Sequence, residues 1–313
     1  MEIRSGYAHT SADIEIHYED LGNPGDPPVL LIMGLGAQLV LWHNEFCQKL
    51  LDRGYRVIRF DNRDVGLSSK LHGQRHDGAL IPRLLRSFAG LSSPSVYRLE
   101  DMADDAAALL DHLGIDRAHI VGASMGGMIA QIVAARHRQR TAGLGIIFSS
   151  NNSALLPPPA PKALLSLLKG PSPDSPREVI VANSVRVSTI IGSPGYPKSE
   201  EQLRTEAIEA YERAYYPQGI ARHFDAIMGS GSLTRYDRQI GAPTVVIHGR
   251  ADKLMRPAGG RAIAKAIPGA RLVLFDGMGH DLPEPLFEAI VGELATTFAS
   301  SPTRGRVAGP DTG

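Results

Sequence analysis

Gly122-Ala-Ser124-Met-Gly126 follows the apolar run His119-Ile-Val121 and opens a segment of helical pattern, Met128–Arg138. The string matches G-x-S-x-G, whose meaning depends on where it sits. A serine between a strand and a helix must occupy a very tight turn with a strained backbone. Gly122 and Gly126 leave room for neighbouring backbone where a Cβ would clash, and Gly127 and Ala130 let the helix approach the sheet. The hydroxyl is then presented above the sheet edge, near the positive end of a helix dipole. The competing reading is an ordinary glycine-rich turn. The flanking strand and helix favour a nucleophile.

Outward from this turn, the chain alternates buried strands with amphipathic helices. Val29-Leu-Leu-Ile-Met33 is a continuous apolar run ending in Gly34-Leu-Gly36, as expected of a strand buried on both faces. Similar runs are Arg56–Phe60, Ala118–Val121, Leu144–Phe148, Thr244–Ile247 and Leu272–Phe275. Before them, Asp13–Glu19 alternates apolar and polar residues, which predicts a half-exposed strand of an antiparallel hairpin. Leu99, Met102, Ala103, Ala106, Leu109, Leu110 and Leu113 fall at helical spacing opposite Glu100, Asp101, Asp104 and Asp105, and Gly114 stops that helix. The pattern predicts an α/β fold with a mostly parallel central sheet covered by helices on both sides.

One interval departs from it. Between Phe148 and Thr244 there is no good buried strand, and Pro157–Pro161 and Pro171–Pro176 suit neither a regular helix nor a ladder. Helical patterns follow over Arg177–Ile191, Glu200–Tyr215 and Gly219–Met228. The predicted organisation is a core of residues 1–150 and 241–299, a mainly helical cap of 151–240 over the carboxyl edge of the sheet, and a disordered tail of 300–313. A decorative surface insertion is the alternative to a cap.

The 313 residues carry 33 Lys+Arg against 33 Asp+Glu, so no net field recruits nucleic acid, an anionic membrane or a polyanion. A small-molecule partner is expected. Cys47 is the one cysteine, which precludes an intramolecular disulfide, and its helical context reads as packing rather than catalysis. Without a signal-like apolar run or a bilayer-length stretch, a soluble cytoplasmic protein is the expectation. Oligomeric state leaves no visible mark.

A serine hydroxyl needs a base. His9, His17, His72, His76, His112, His119 and His137 lie in polar or charged stretches and are expected to be solvated, while His43 and His223 show no role. His280 differs. It falls in Gly277-Met-Gly279-His280 just beyond the run Leu272–Phe275, on the same sheet edge as Ser124, with a small residue before it to let the ring turn inward. The base in turn needs a carboxylate to fix its tautomer. Asp252 follows Thr244–Ile247, giving the order serine, acid, histidine. An acid after the preceding strand is ruled out by Ser149-Ser-Asn-Asn-Ser153, which has no carboxylate. Asp276 reads as a turn residue, Asp281 as pointing elsewhere, and His248 as structural.

A tetrahedral intermediate also needs donors for its oxyanion. The backbone N–H of Met125, after the nucleophile, and that of Leu35, in the glycine loop, are the candidates. Gly34, Leu35, Met125, Phe224 and Met228 are the candidate pocket residues, and Tyr211, Tyr215, Tyr216 and Ile227 add to a mostly apolar cap surface.

Leu31-Ile-Met-Gly-Leu-Gly36, Asp61-Asn-Arg-Asp-Val-Gly-Leu-Ser68, Val121–Gly127 and Gly277–His280 carry a resemblance that covers the chain to about Phe298. The sequence resembles the capped α/β-hydrolases, most closely the aclacinomycin methylesterases and related bacterial esterases. Asp64 stands where the wider family usually has glycine, and Met33 where many members have histidine; both fit the methylesterase-like branch. The resemblance implies triad roles for Ser124, Asp252 and His280, backbone donors at Leu35 and Met125, and carboxylic ester hydrolysis through an acyl-enzyme, with neither metal nor organic cofactor. Amide, peptide or C–C hydrolysis and perhydrolysis use the same triad, and a non-catalytic receptor could retain it; the fold alone does not choose among them.

Overall fold

The computed structural model describes residues 2–11, 13–75 and 78–301. Strands β1 (Ile3–Ser11) and β2 (Ile14–Leu21) form the expected hairpin, and β2 pairs antiparallel with β4 (Arg56–Phe60). The remaining strands are β3 (Pro28–Ile32), β5 (Ala118–Ala123), β6 (Thr141–Ile147), β7 (Thr244–Gly249) and β8 (Arg271–Phe275). From β4 onward all pairings are parallel, in the sheet order β1-β2-β4-β3-β5-β6-β7-β8. This mostly parallel sheet with flanking helices is the α/β-hydrolase fold.

Parallel pairing decides where the chemistry can gather. Ile32 pairs with Gly122, Ala123 with Ile147, and Gly249 with Phe275, so β3, β5, β6, β7 and β8 all discharge their following loops at one edge. Strands buried on both faces must be covered by two layers. Leu30 and Ile32 of β3 pack with α3 (Leu99–His112) and α4 (Met125–Arg136). Val29 and Leu31, one residue out of phase, pack with α1 (Asn44–Leu51) and α11 (Phe287–Ala299).

The other helices are α2 (Leu80–Phe88), α5 (Pro161–Leu168), α6 (Arg177–Ile191), α7 (Glu200–Arg213), α8 (Pro217–Ser230), the single turn α9 (Thr234–Asp237) and α10 (Pro257–Ala266). The three helices expected between Phe148 and Thr244 form within two residues of their predicted ends. Ser199 caps α7 reciprocally with Gln202, accepting from its N–H while Gln202 accepts from the Ser199 N–H. Five helices, α2, α5, α9, α10 and α11, were not singled out in the sequence pattern, and two of them show why. Pro161 begins α5, because a proline at the first helical position loses no hydrogen bond. In α2 the usual burial is inverted. Arg83 is buried against Asp225 at 2.7 Å, whereas Ile81, Leu85 and Phe88 are exposed.

Two histidines expected in solvent are not there. His119 lies in β5, which is covered on both faces, and its ring stacks on Phe298 at 4.0 Å. Burial, with help from Arg117, lowers its pKa to about 4. His17 is buried beside Asp61, Nδ1 to Oδ2 3.6 Å. His76 falls outside the described residues, as do 302–313 of the tail. The tail's first two residues are tied to the core. Ser300 caps α11, and Ser301 Oγ donates to Ala142 O at 2.7 Å. Cys47 is fully buried, and burial pushes its thiol up to about 11. No helix among the described residues is long and apolar enough to cross a membrane.

Candidate active site

Ser124 follows β5 directly and opens α4 with φ 56° and ψ −121°. A non-glycine residue there stores strain of about 1–3 kcal/mol, which the surroundings must hold in place. The Ser124 N–H donates to Ile147 O at 2.9 Å, and its carbonyl accepts from Ser149 Oγ at 2.6 Å. The flanking glycines are required by contact. A Cβ on Gly122 would stand 2.1 Å from Gly126 O, and one on Gly126 2.0 Å from Ile32 O.

The sheet edge brings the predicted partners to this hydroxyl. His280 Nε2 is 3.0 Å from Ser124 Oγ, and its Nδ1 is 2.7 Å from Asp252 Oδ2. Asp252 Oδ1 accepts the N–H groups of Leu254 and Met255 at 2.8 and 2.9 Å. Burial pushes the Asp252 carboxyl up, but His280 and the neighbouring His248 outweigh it and hold its pKa at about 2. An ionised Asp252 takes a proton bond from Nδ1, which leaves the Nε2 lone pair facing the serine. The chain of three can therefore accept the hydroxyl proton and stabilise the resulting imidazolium.

His248 donates from Nε2 to Met255 O at 2.6 Å, beneath the acid loop, as a structural histidine would. Asp276 pairs with Arg250 at the surface, and Asp281 accepts from Ser193 Oγ. Gly279 differs from the sequence expectation in its reason. A Cβ there would meet Gly192 O at 2.2 Å, so the small residue admits the end of α6 rather than the imidazole. The His280 N–H donates to Ile191 O at 2.8 Å, and the Gly279 N–H to Ser193 Oγ at 2.8 Å. The His280 loop thus rests on the helical insertion, a dependence that no motif revealed.

Above Ser124 lies a cavity of about 790 Å³. Gly34, Leu35, Phe224 and Met228 border it. Met125 does not. As the first residue of α4 its side chain turns under the elbow into the layer between sheet and helices, where it is fully buried. Its backbone N–H, like that of Leu35, donates to no protein acceptor among the described residues. The walls are largely apolar and come from α2, α5, α6 and α8, with Phe148 beside the His280 ring at 4.8 Å.

Three of the polar groups on the walls lie together. Lys198 Nζ lies 2.6 Å from Glu206 Oε1, and His43 Nε2 lies 3.9 Å from the same oxygen. Burial and then Lys198 lower the His43 pKa. His43 carried no sequence signal, because its charged partners in the cavity, Lys198 and Glu206, are more than 150 positions away.

A family model for the alpha/beta hydrolase fold matches residues 27–284. Rhodomycin D methylesterase of Streptomyces sp. (strain C5) is 29% identical over 306 residues, covering 90% of this chain and 95% of its own. The 2-hydroxy-6-oxononadienedioate/2-hydroxy-6-oxononatrienedioate hydrolase of Pseudomonas sp. is 26% identical, with 85% of each chain covered. Among solved structures, the 2-hydroxy-6-oxo-6-phenylhexa-2,4-dienoate hydrolase of Rhodococcus sp. strain RHA1 superposes with a TM-score of 0.70 at 18% identity. The match covers 96% of this chain and 99% of that one.

Proposed function

The chain belongs to the α/β-hydrolase family, and on that premise we propose that it is a serine carboxylesterase working through an acyl-enzyme. The observation that carries this reading is the continuous relay from Ser124 Oγ through His280 to Asp252 at the floor of an apolar cavity. Ser124 attacks the ester carbonyl as His280 Nε2 takes its proton. The N–H groups of Leu35 and Met125 receive the charge that develops on the carbonyl oxygen. His280 returns the proton to the departing alcohol, then activates the water that frees the acid.

In this reading residues 151–240 are the cap, with α2 of the core completing its walls. The substrate is a neutral small molecule with a largely apolar body. A cavity of about 790 Å³ suits a ring system better than a short acyl chain, and the likeness to rhodomycin D methylesterase supports a methyl ester of such an acid. The C–C hydrolase reading has support from the dienedioate hydrolases. A second carboxylate in such a substrate would have to be met by Arg256, because the other cavity cation, Lys198, is already paired with Glu206.

The test compares wild type with Ser124→Ala, using a fluorophosphonate probe, p-nitrophenyl butyrate and a methyl ester of a polycyclic aromatic acid. Wild type should label and should hydrolyse both esters, and the alanine variant should do neither. Equal behaviour of the two proteins would remove Ser124 from its role, and turnover confined to a vinylogous 1,5-diketone would select C–C cleavage.

A further inference from the structure

His223 lies on α8, far from Ser124 in sequence, and its imidazole is completely buried. Both ring nitrogens are engaged by main chain. Nδ1 accepts the Gly36 N–H at 3.1 Å, and Nε2 lies 2.7 Å from Arg63 O. An amide N–H can only be received by a lone pair, and a carbonyl can only be given a proton. The neutral Nε2–H tautomer is thus the single form that makes both bonds. Burial, which lowers the pKa of this ring to about 4, agrees with that form.

Gly36 belongs to a turn closed by the Ala37 N–H donating to Gly34 O at 3.2 Å. Its φ of +66° at the third position is that of one of two turn types, which differ in the orientation of the middle peptide, Leu35–Gly36. One sends the Gly36 N–H toward His223. The other would send the Leu35 carbonyl there, against the lone pair of Nδ1. Ile220, one helical turn before His223, closes the same loop from above, since a Cβ on Gly36 would meet Ile220 Cγ1 at 2.7 Å.

We propose that His223 is a positioning residue for the oxyanion loop: by fixing the Leu35–Gly36 peptide it holds the Gly34–Gly36 turn in place, and with it the adjoining Leu35 N–H that faces the acyl oxygen. The inference rests on the ester hydrolase reading for what that N–H does, but not for the clasp itself. It makes α8 part of the catalytic framework rather than only a wall of the cavity. Donor placement matters because a misplacement of about 1 Å can cost about a hundredfold in rate.

Two variants test it. His223→Phe keeps the ring shape and loses both bonds. His223→Asn can place its amide oxygen where Nδ1 stands and so restores the acceptor for Gly36. The readouts are kcat and KM on p-nitrophenyl butyrate, the rate of fluorophosphonate labelling, and hydrogen exchange of the Gly36 amide. The phenylalanine variant should lose about tenfold to a hundredfold in kcat with KM nearly unchanged. Its Gly36 amide should exchange much faster, and the asparagine variant should recover most of both. Wild-type kcat or wild-type Gly36 protection in a folded phenylalanine variant overturns the proposal, as does an equal loss in both variants. A wild-type protein that labels but does not cleave the ester overturns the ester reading alone. The labelling rate then takes the place of kcat.

Discussion

Arg222 holds Asp64 in a two-pronged clasp, Nε to Oδ2 at 2.8 Å and Nη2 to Oδ1 at 2.7 Å, with both side chains buried. Asp64 adopts φ 68°, which explains why glycine is usual at this place in the wider family and why an aspartate here needs compensation. The pair ties α8 to the loop after β4, one residue from His223, which accepts the Gly36 N–H.

Removing one partner of a buried pair leaves an uncompensated charge, so Arg222→Leu should destabilise the fold by about 3 kcal/mol. Adding Asp64→Gly removes both that charge and the positive-φ strain, and the double variant should be more stable than Arg222→Leu alone. Urea unfolding of the four proteins in the cycle measures the coupling. A double variant no more stable than the single one would show that the clasp carries no such energy.

Asp252→Asn should fold normally, because Leu254 and Met255 can still donate to its amide oxygen. It should nevertheless lose about three to four orders of magnitude in kcat, since the amide no longer fixes the productive tautomer of His280. Steady-state kinetics on p-nitrophenyl butyrate checks this. Rates within tenfold of wild type would move the acid elsewhere.

Buried titratable groups give stability two opposing dependences on pH. His119 and His223 are depressed to about 4 in the fold from 6.5, so between those values the unfolded chain binds more protons and stability rises with pH. Asp237 has the opposite sign. Burial raises its carboxyl to about 7, with only the Asn151 amide to oppose it, so stability is lost as pH climbs from 3.8 toward 7. Asp237→Asn should match wild type below pH 4 and exceed it at pH 8 by on the order of 4 kcal/mol. Thermal melts at pH 4, 6 and 8 decide it; a constant offset across them would contradict the sign.

Val187 on α6 borders the cavity without touching the relay. Val187→Trp should narrow the chamber and lower kcat/KM for a polycyclic methyl ester by about tenfold or more, while p-nitrophenyl acetate loses little. Equal losses on both would mean that substrates of different size do not sample this wall.

Much of this site could be read along the chain because its parts announce themselves locally. Ser124 and Asp252 follow buried strands, His280 follows β8, which lies at the sheet's edge and is only half-buried rather than the buried strand its apolar run predicts, and parallel pairing places all three loops at the same edge. Leu35 was legible for the same reason. The insertion's three main helices were visible from their periodicity, whereas α2 was not, since its apolar residues face a cavity and its buried residue is an arginine. His17 and His119 were misjudged because polar neighbours in sequence say nothing about the layers that cover a strand. Met125 was placed in the pocket by its position beside Ser124, but at this sharp turn its side chain enters the core instead.

The sequence by itself determined the order of elements, the fold, the relay residues and their loops, because strand periodicity and turn chemistry act over short distances. Only the tertiary structure decided what supports them: Ile191 beneath His280, His223 behind Gly36, Arg222 on Asp64, and the size of the chamber above Ser124. Those contacts join residues more than eighty positions apart, and the closure of the helices over the sheet is what brings them within hydrogen-bond range.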